Sequence, residues 1–153
     1  MPRFFFDTSV FTKRYHIEVG SARVASIFEA DDSIVQISNL GILEAQSAFG
    51  MKVRTGQITG AKAISLRALV LKDVSTGVVE VMTLDPIHFA AAALLVSKYG
   101  FTRRMRTLDA LQLAVALDLH AKGLLDIFVV ADKLLPEVAV LEGLSVQNPD
   151  DLP

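Results

Sequence analysis

The 153-residue chain contains no cysteine and no tryptophan. Without thiols there are no disulfides and no thiolate metal sites, a usage that suits a reducing cytoplasm. Long hydrophobic runs are missing as well. The longest, Phe89 to Val96, is far short of the ~20 residues a spanning helix needs. The start of the chain has neither the apolar stretch nor the small-residue cleavage site of a signal peptide. No membrane association and a cytoplasmic location are therefore expected. P-loop, GxGxxG and GxSxG signatures are absent. His16, His88 and His120 share no metal-ligand spacing, and His88 and His120 read as surface or helix-end residues. A net charge of −2 with a pI near 5.9 gives no global basic field for nucleic acid.

What is present is apolar. Hydrophobic residues make up 52% of the chain and the mean hydropathy is +0.45. In a chain with no membrane span, such an excess implies a sheet covered on both faces, with some apolar surface left for a partner. The length suits one domain, residues 1–153. Strand-like runs rich in β-branched and aromatic residues fall at 3–6, 34–37, 78–82, 127–130 and 144–147. Helix-like segments fill the gaps, at about 21–30, 39–54, 59–74, 86–100, 108–121 and 133–141. Caps support several of them: Ser38 or Asn39, Thr59, Asp85 before Pro86, and Thr107, with Gly123 past the end of the fifth. Segments 59–74 and 86–99 are expected to pair as a helical projection. The alternation predicts an α/β domain with a mainly parallel central sheet.

Four acids stand out against this background. Asp7 closes Phe4-Phe5-Phe6, and Asp132 closes Ile127 through Ala131. Glu44 is the only charge between Asp32 and Lys52, and Asp109 the only acid between Asp85 and Asp118. Each has a plain structural reading. Asp7 and Asp132 are good helix caps, Glu44 suits a helix edge, and Asp109 suits the positive end of a helix dipole. Each also has a functional reading. Ligands in open α/β sheets bind beyond the carboxyl ends of the strands, where Asp7 and Asp132 lie. Glu44 has no basic neighbour three or four residues away. The helix of Asp109 is apolar nearly all round, so its acid is enclosed at one end. Carboxylates ~4 Å apart repel by about 4 kcal/mol at an effective dielectric of ~20, so a shared site would protonate or hold a cation. Ser9 and Thr107 are hydroxyls beside these acids, either supporting donors or simple turn and cap residues. Arg103, Arg104 and Arg106, with Lys13 and Arg14, form either solvated basic loops or a phosphate clamp.

The segments Phe6-Asp7-Thr8-Ser9, Leu43-Glu44, Arg106 to Ala114 and Phe128 to Leu135 occur in an order that resembles the PIN-domain family. Within it the chain looks like the VapC-type toxins, and the tail from Glu142 to Pro149 is similar too. The resemblance implies a three-layer α/β/α sandwich and a metal site of Asp7, Glu44, Asp109 and Asp132 around Mg²⁺ or Mn²⁺. It also implies endoribonuclease activity, a homodimer, and a small antitoxin as partner. Single-stranded or looped RNA would be the substrate, since its bases can be splayed into a groove. One difference from the family is Val130, where Thr or Ser often stands two residues before the last aspartate. Two rival readings are a phosphatase with Asp7 as nucleophile and a non-catalytic PIN-like scaffold. Ser9 argues against the first, because such enzymes place a second aspartate there. Retention of all four acids argues against the second.

Overall fold

A computed structural model describes residues 1–151. Five strands form one parallel sheet: β1 (Arg3–Phe6), β2 (Ile34–Ser38), β3 (Val79–Met82), β4 (Ile127–Val129) and β5 (Val146–Gln147). Their order across the sheet is β3-β2-β1-β4-β5. Seven helices connect and cover them: α1 (Thr8–Phe11), α2 (Ser21–Glu29), α3 (Asn39–Arg54), α4 (Gly60–Ser75), α5 (Pro86–Tyr99), α6 (Thr107–Ala121) and α7 (Leu134–Leu141). A single 3-10 turn, Thr12–Arg14, follows α1.

The three-phenylalanine run explains the layering. Successive strand residues face opposite sides of a sheet. Phe4 and Phe6 pack with Val35, Ile37 and Val79 of the sheet against α1 to α4. Phe5 and Phe128 pack on the other face against α5, α6 and α7. Burying one such side chain contributes roughly 1.5–3 kcal/mol, so a strand of three on two faces needs helices on both. The result is a three-layer α/β/α sandwich. The expected pairing of 59–74 with 86–99 does not occur. α4 packs on α3 and α5 packs on α6, on opposite faces, because β3 intervenes and joins the sheet edge.

Helix starts follow local chemistry. Ser38 Oγ accepts from the Gly41 amide at 2.9 Å, and Thr59 Oγ1 from the Lys62 amide at 3.1 Å. Thr107 is not the cap expected for α6. Arg106 takes that place and Thr107 is the first helical residue. His88 is not at the surface. It is buried in the first turn of α5, with Nδ1 accepting from the Asp85 amide at 2.9 Å. That bond leaves the proton on Nε2, which donates to Asp118 Oδ2 at 3.0 Å. Among the described residues, no helix is long and apolar enough to cross a membrane.

Candidate active site

Strand order places the site. From β1 the chain builds outward to β2 and β3 on one side, then returns to place β4 and β5 on the other. Between β1 and β4 the direction of winding reverses, which opens a crevice at the strands' carboxyl ends. Asp7 leaves β1 there, its amide bonded to Val129 O at 3.0 Å. Asp132 leaves β4 beside it. α3 brings in Glu44 and α6 brings in Asp109.

All four acids line one cleft of about 620 Å³, together with Thr8, Ser9, Arg54 and Arg106. A smaller depression shares Arg106, Asp109 and Asp132 with it and adds Arg104 and Lys133. The acids feel one another. Burial pushes the Asp7 carboxyl up, against the pull of hydrogen bonds from Ser9, and the charge of Asp132 adds to the rise. Burial also raises Glu44, with hydrogen bonds from Gln112 and Thr8 opposing and Asp7 adding. Asp109 is pushed up to about 6, first by burial and then by Asp7 and Asp132, with Arg106 opposing.

The structural readings hold at the same time. Asp7 Oδ2 accepts from Ser9 Oγ at 2.6 Å and from the Ser9 amide at 3.3 Å, capping α1. Asp132 Oδ1 accepts from the Leu134 and Leu135 amides at 2.6 and 3.0 Å. Glu44 Oε1 accepts from Gln112 Nε2 at 3.0 Å and Thr8 Oγ1 at 3.1 Å. Three of the four carboxylates are thus tethered by an oxygen to their own surroundings. Among the described residues, no three acidic or imidazole groups gather closely enough to make a ready-made metal-binding group. The donor set itself suits a hard divalent cation: oxygen only, several carboxylates, and protonation favoured when they stand alone.

The remaining expected residues divide. Ser9 supports Asp7 directly. Thr107 lies outside the cleft, lining an apolar groove with Phe89 and Leu111. In the first turn of α6, Leu108 and Asp109 line the acidic cleft while Thr107 lines the apolar groove. Lys13 does not reach the mouth. It is 8% exposed, and its Nζ is held by Val19 O at 2.8 Å and by Asp150 Oδ1 at 3.0 Å. Arg14 stacks over Phe28, 5.0 Å from the ring centre. Arg103 turns away to Glu137 at 2.9 Å and over the Tyr99 ring. Only Arg104 and Arg106 of the basic loop reach the acidic region. Val130 is fully buried in the α5–α7 core.

Four residues near the acids escaped the sequence reading. Arg54 stands ten positions after Glu44, on the face continued by Ser47, Ala48 and Met51, so its spacing was a usable signal. Lys133 borders the smaller depression. Thr8 and Gln112 hold Glu44. Gln112 is the only polar residue in the stretch from Ala110 to Leu117, and a lone polar group on a buried helix must find partners.

A scan of protein-family models finds no match to the chain, and neither does a comparison with curated proteins. Solved structures do match over nearly the whole chain. FitAcB from Neisseria gonorrhoeae aligns with a TM-score of 0.68 at 18% identity, over 97% of this chain and 99% of that one. VapC20 from Mycobacterium tuberculosis, a toxin that cleaves the sarcin-ricin loop, gives 0.67 at 17%, over 98% and 99%. VapBC2 from Rickettsia felis, bound to a promoter DNA fragment, gives 0.66 at 13%, over 95% and 98%. The chain has the PIN-domain fold. In PIN terms, the reversal between β1 and β4 is where the cleft lies, and the four acids sit around it.

Proposed function

We propose that this chain is a divalent-cation-dependent endoribonuclease, the toxin of a toxin–antitoxin pair. One observation carries the reading: four carboxylates from four separate elements line a single cleft at the point where the sheet reverses. The likeness in fold to VapC20, an RNA-cleaving toxin, supports the substrate class. FitAB and VapBC2, solved bound to DNA fragments, support an antitoxin partner.

Asp7, Asp109, Asp132 and Glu44 would hold Mg²⁺ or Mn²⁺. When bound, such an ion supplies a water acidic enough to attack phosphorus and neutralises charge on a phosphate oxygen. The chain's own groups do the rest. Arg54, Arg104, Arg106 and Lys133 surround the acids and draw the RNA backbone toward them, Arg by its paired donors. Ser9 Oγ fixes the rotamer of Asp7 by donating to Oδ2. Arg106 beside Asp109 opposes the rise that burial and the neighbouring acids give its carboxyl, which favours the charged form a cation needs. Hydrolysis by water leaves 5′-phosphate and 3′-hydroxyl ends. The apolar groove of about 470 Å³ on α5 and α6 supports the homodimer reading, as a surface a second copy of the chain would cover.

The test is cleavage of defined RNAs by purified protein with Mn²⁺ or with chelator, beside Asp7→Asn. Cation-dependent cleavage lost in the folded variant supports the proposal. Equal cleavage by Asp7→Asn removes Asp7 from the mechanism.

A further inference from the structure

Behind the cleft lies a buried polar chain with a single consistent direction. It starts at a backbone donor. The Gly41 amide donates to Ser38 Oγ at 2.9 Å, and Ser38 Oγ donates to Gln112 Oε1 at 2.8 Å. Gln112 Nε2 then uses both protons, one on Thr8 Oγ1 at 3.1 Å and one on Glu44 Oε1 at 3.0 Å. Thr8 Oγ1 passes its own proton to the same Glu44 oxygen at 3.1 Å. Reversing the Gln112 amide would set its oxygen against the Glu44 carboxylate, two acceptors with no proton between them. The ionised form of Glu44 therefore fixes the amide, and the amide fixes Glu44.

The surroundings keep Gln112 from moving. It is 1% exposed, on a helix packed on nearly every side. The approach to α3 depends on Gly41. A Cβ there would stand 2.6 Å from Ile37 Cγ1 and 3.3 Å from Gln112 Nε2. Residues of α1 and α6 thus meet at one carboxylate oxygen of α3, and β2 joins the chain through Ser38 on Gln112. Oε1 of Glu44 takes both hydrogen bonds, Oε2 takes none among the described residues, and Glu44 lines the cleft.

We infer that Gln112 is a positioning residue, which holds Glu44 by Oε1 so that Oε2 is presented to a cation in the cleft. The inference rests on the proposed nuclease reading for its consequence, but the hold on Glu44 is a property of the chain alone. Outer partners of metal ligands typically contribute 10–100-fold to metal affinity. Removing the amide should act on the cation chiefly through Glu44, the ligand it bonds directly.

The experiment has two arms on the full chain. In the first, Mn²⁺ binding is measured by calorimetry for wild type, Gln112→Met, Glu44→Ala and the double variant, with melting midpoints confirming folded protein. Gln112→Met is expected to weaken Mn²⁺ binding about 10-fold in the wild-type background. With Glu44 already removed, it should change binding less than about twofold, since the ligand it holds is gone. Wild-type affinity in Gln112→Met, or equal losses in both backgrounds, would overturn the inference. In the second arm, metal-free protein is observed by NMR. One Gln112 Nε2 proton should resonate downfield, and Glu44→Ala should move that resonance. An unmoved resonance would overturn the hold on Glu44. This arm needs neither metal nor RNA. A protein that passes it but neither binds Mn²⁺ nor cleaves RNA refutes the nuclease reading and leaves the Gln112 hold standing.

Discussion

At the residue scale, Ser9 and Thr107 separate two kinds of nearby hydroxyl. Both stand two positions from an acid of the cleft, but only Ser9 donates to one. Ser9→Ala is expected to lower RNA cleavage by ~10–100-fold, while Thr107→Ala leaves it unchanged. Cleavage rates of the two variants at saturating Mn²⁺ check this, and equal rates would show that the Ser9 bond is merely a helix cap. Asp109 gives a second prediction, in pH. Its folded value of about 6 lies above the ordinary 3.8. Between those values the native state binds more protons than the unfolded chain, so stability falls as pH rises through that window. Above about 6 the full cost is present, and below about 4 it vanishes. In chelator, Asp109→Asn should therefore melt higher than wild type at pH 7.5 and converge with it near pH 4, by calorimetry. A gain independent of pH would mean that repulsion at this site is not what the substitution relieves.

At the level of elements, the buried Lys13 shows what tertiary contacts do to a basic residue. It sits in the 3-10 turn after α1 and ties the chain's end to its start through Asp150, with Glu18 at 3.6 Å on the other side. Removing one partner of a buried charge costs more than replacing the charge by an apolar group of similar size. Asp150→Ala is expected to destabilise by ~1–3 kcal/mol and Lys13→Met by less, measured by urea unfolding. The reverse order would mean that Val19 O and Glu18 suffice for the ammonium. Such contacts explain where sequence reading succeeds and stops. Strands such as Phe4-Phe5-Phe6 and Ile127-Phe128-Val129 announce themselves, because β-branched and aromatic runs need a two-sided sheet. Acids at their ends follow from the same logic. By contrast, which of Lys13, Arg103, Arg104 and Arg106 face the cleft depends on Asp150, Glu137 and Tyr99, residues 137 to 4 positions away. Charge in a loop carries no direction until the fold supplies its partner. Gln112 was legible in principle, as the lone polar residue of an apolar helix, but its partners on α3 and α1 were not.

For the whole molecule, the composition leaves one apolar excess to explain. The core accounts for most of it, but α5 keeps Phe89 58% exposed and Phe101, just past its end, 98% exposed. Phe89 joins Ala92, Ala93, Val96 and Leu111 along one groove, a continuous surface rather than scattered residues. Isolated exposed apolar side chains need no explanation, whereas a contiguous groove does. A self-complementary patch is what a two-fold dimer requires, since the same surface serves both copies. The groove lies on the helical layer opposite α3, so two copies joined there would leave Glu44 and Arg54 open to RNA or to an inhibiting partner. Light scattering after size exclusion should give twice the 16.6 kDa of one chain. Phe89→Asp should give the single mass with an unchanged far-UV spectrum, because its side chain takes no part in the core. A wild-type monomer at micromolar concentration would assign the groove to another occupant. A dimer that survives Phe89→Asp would move the contact to a different face.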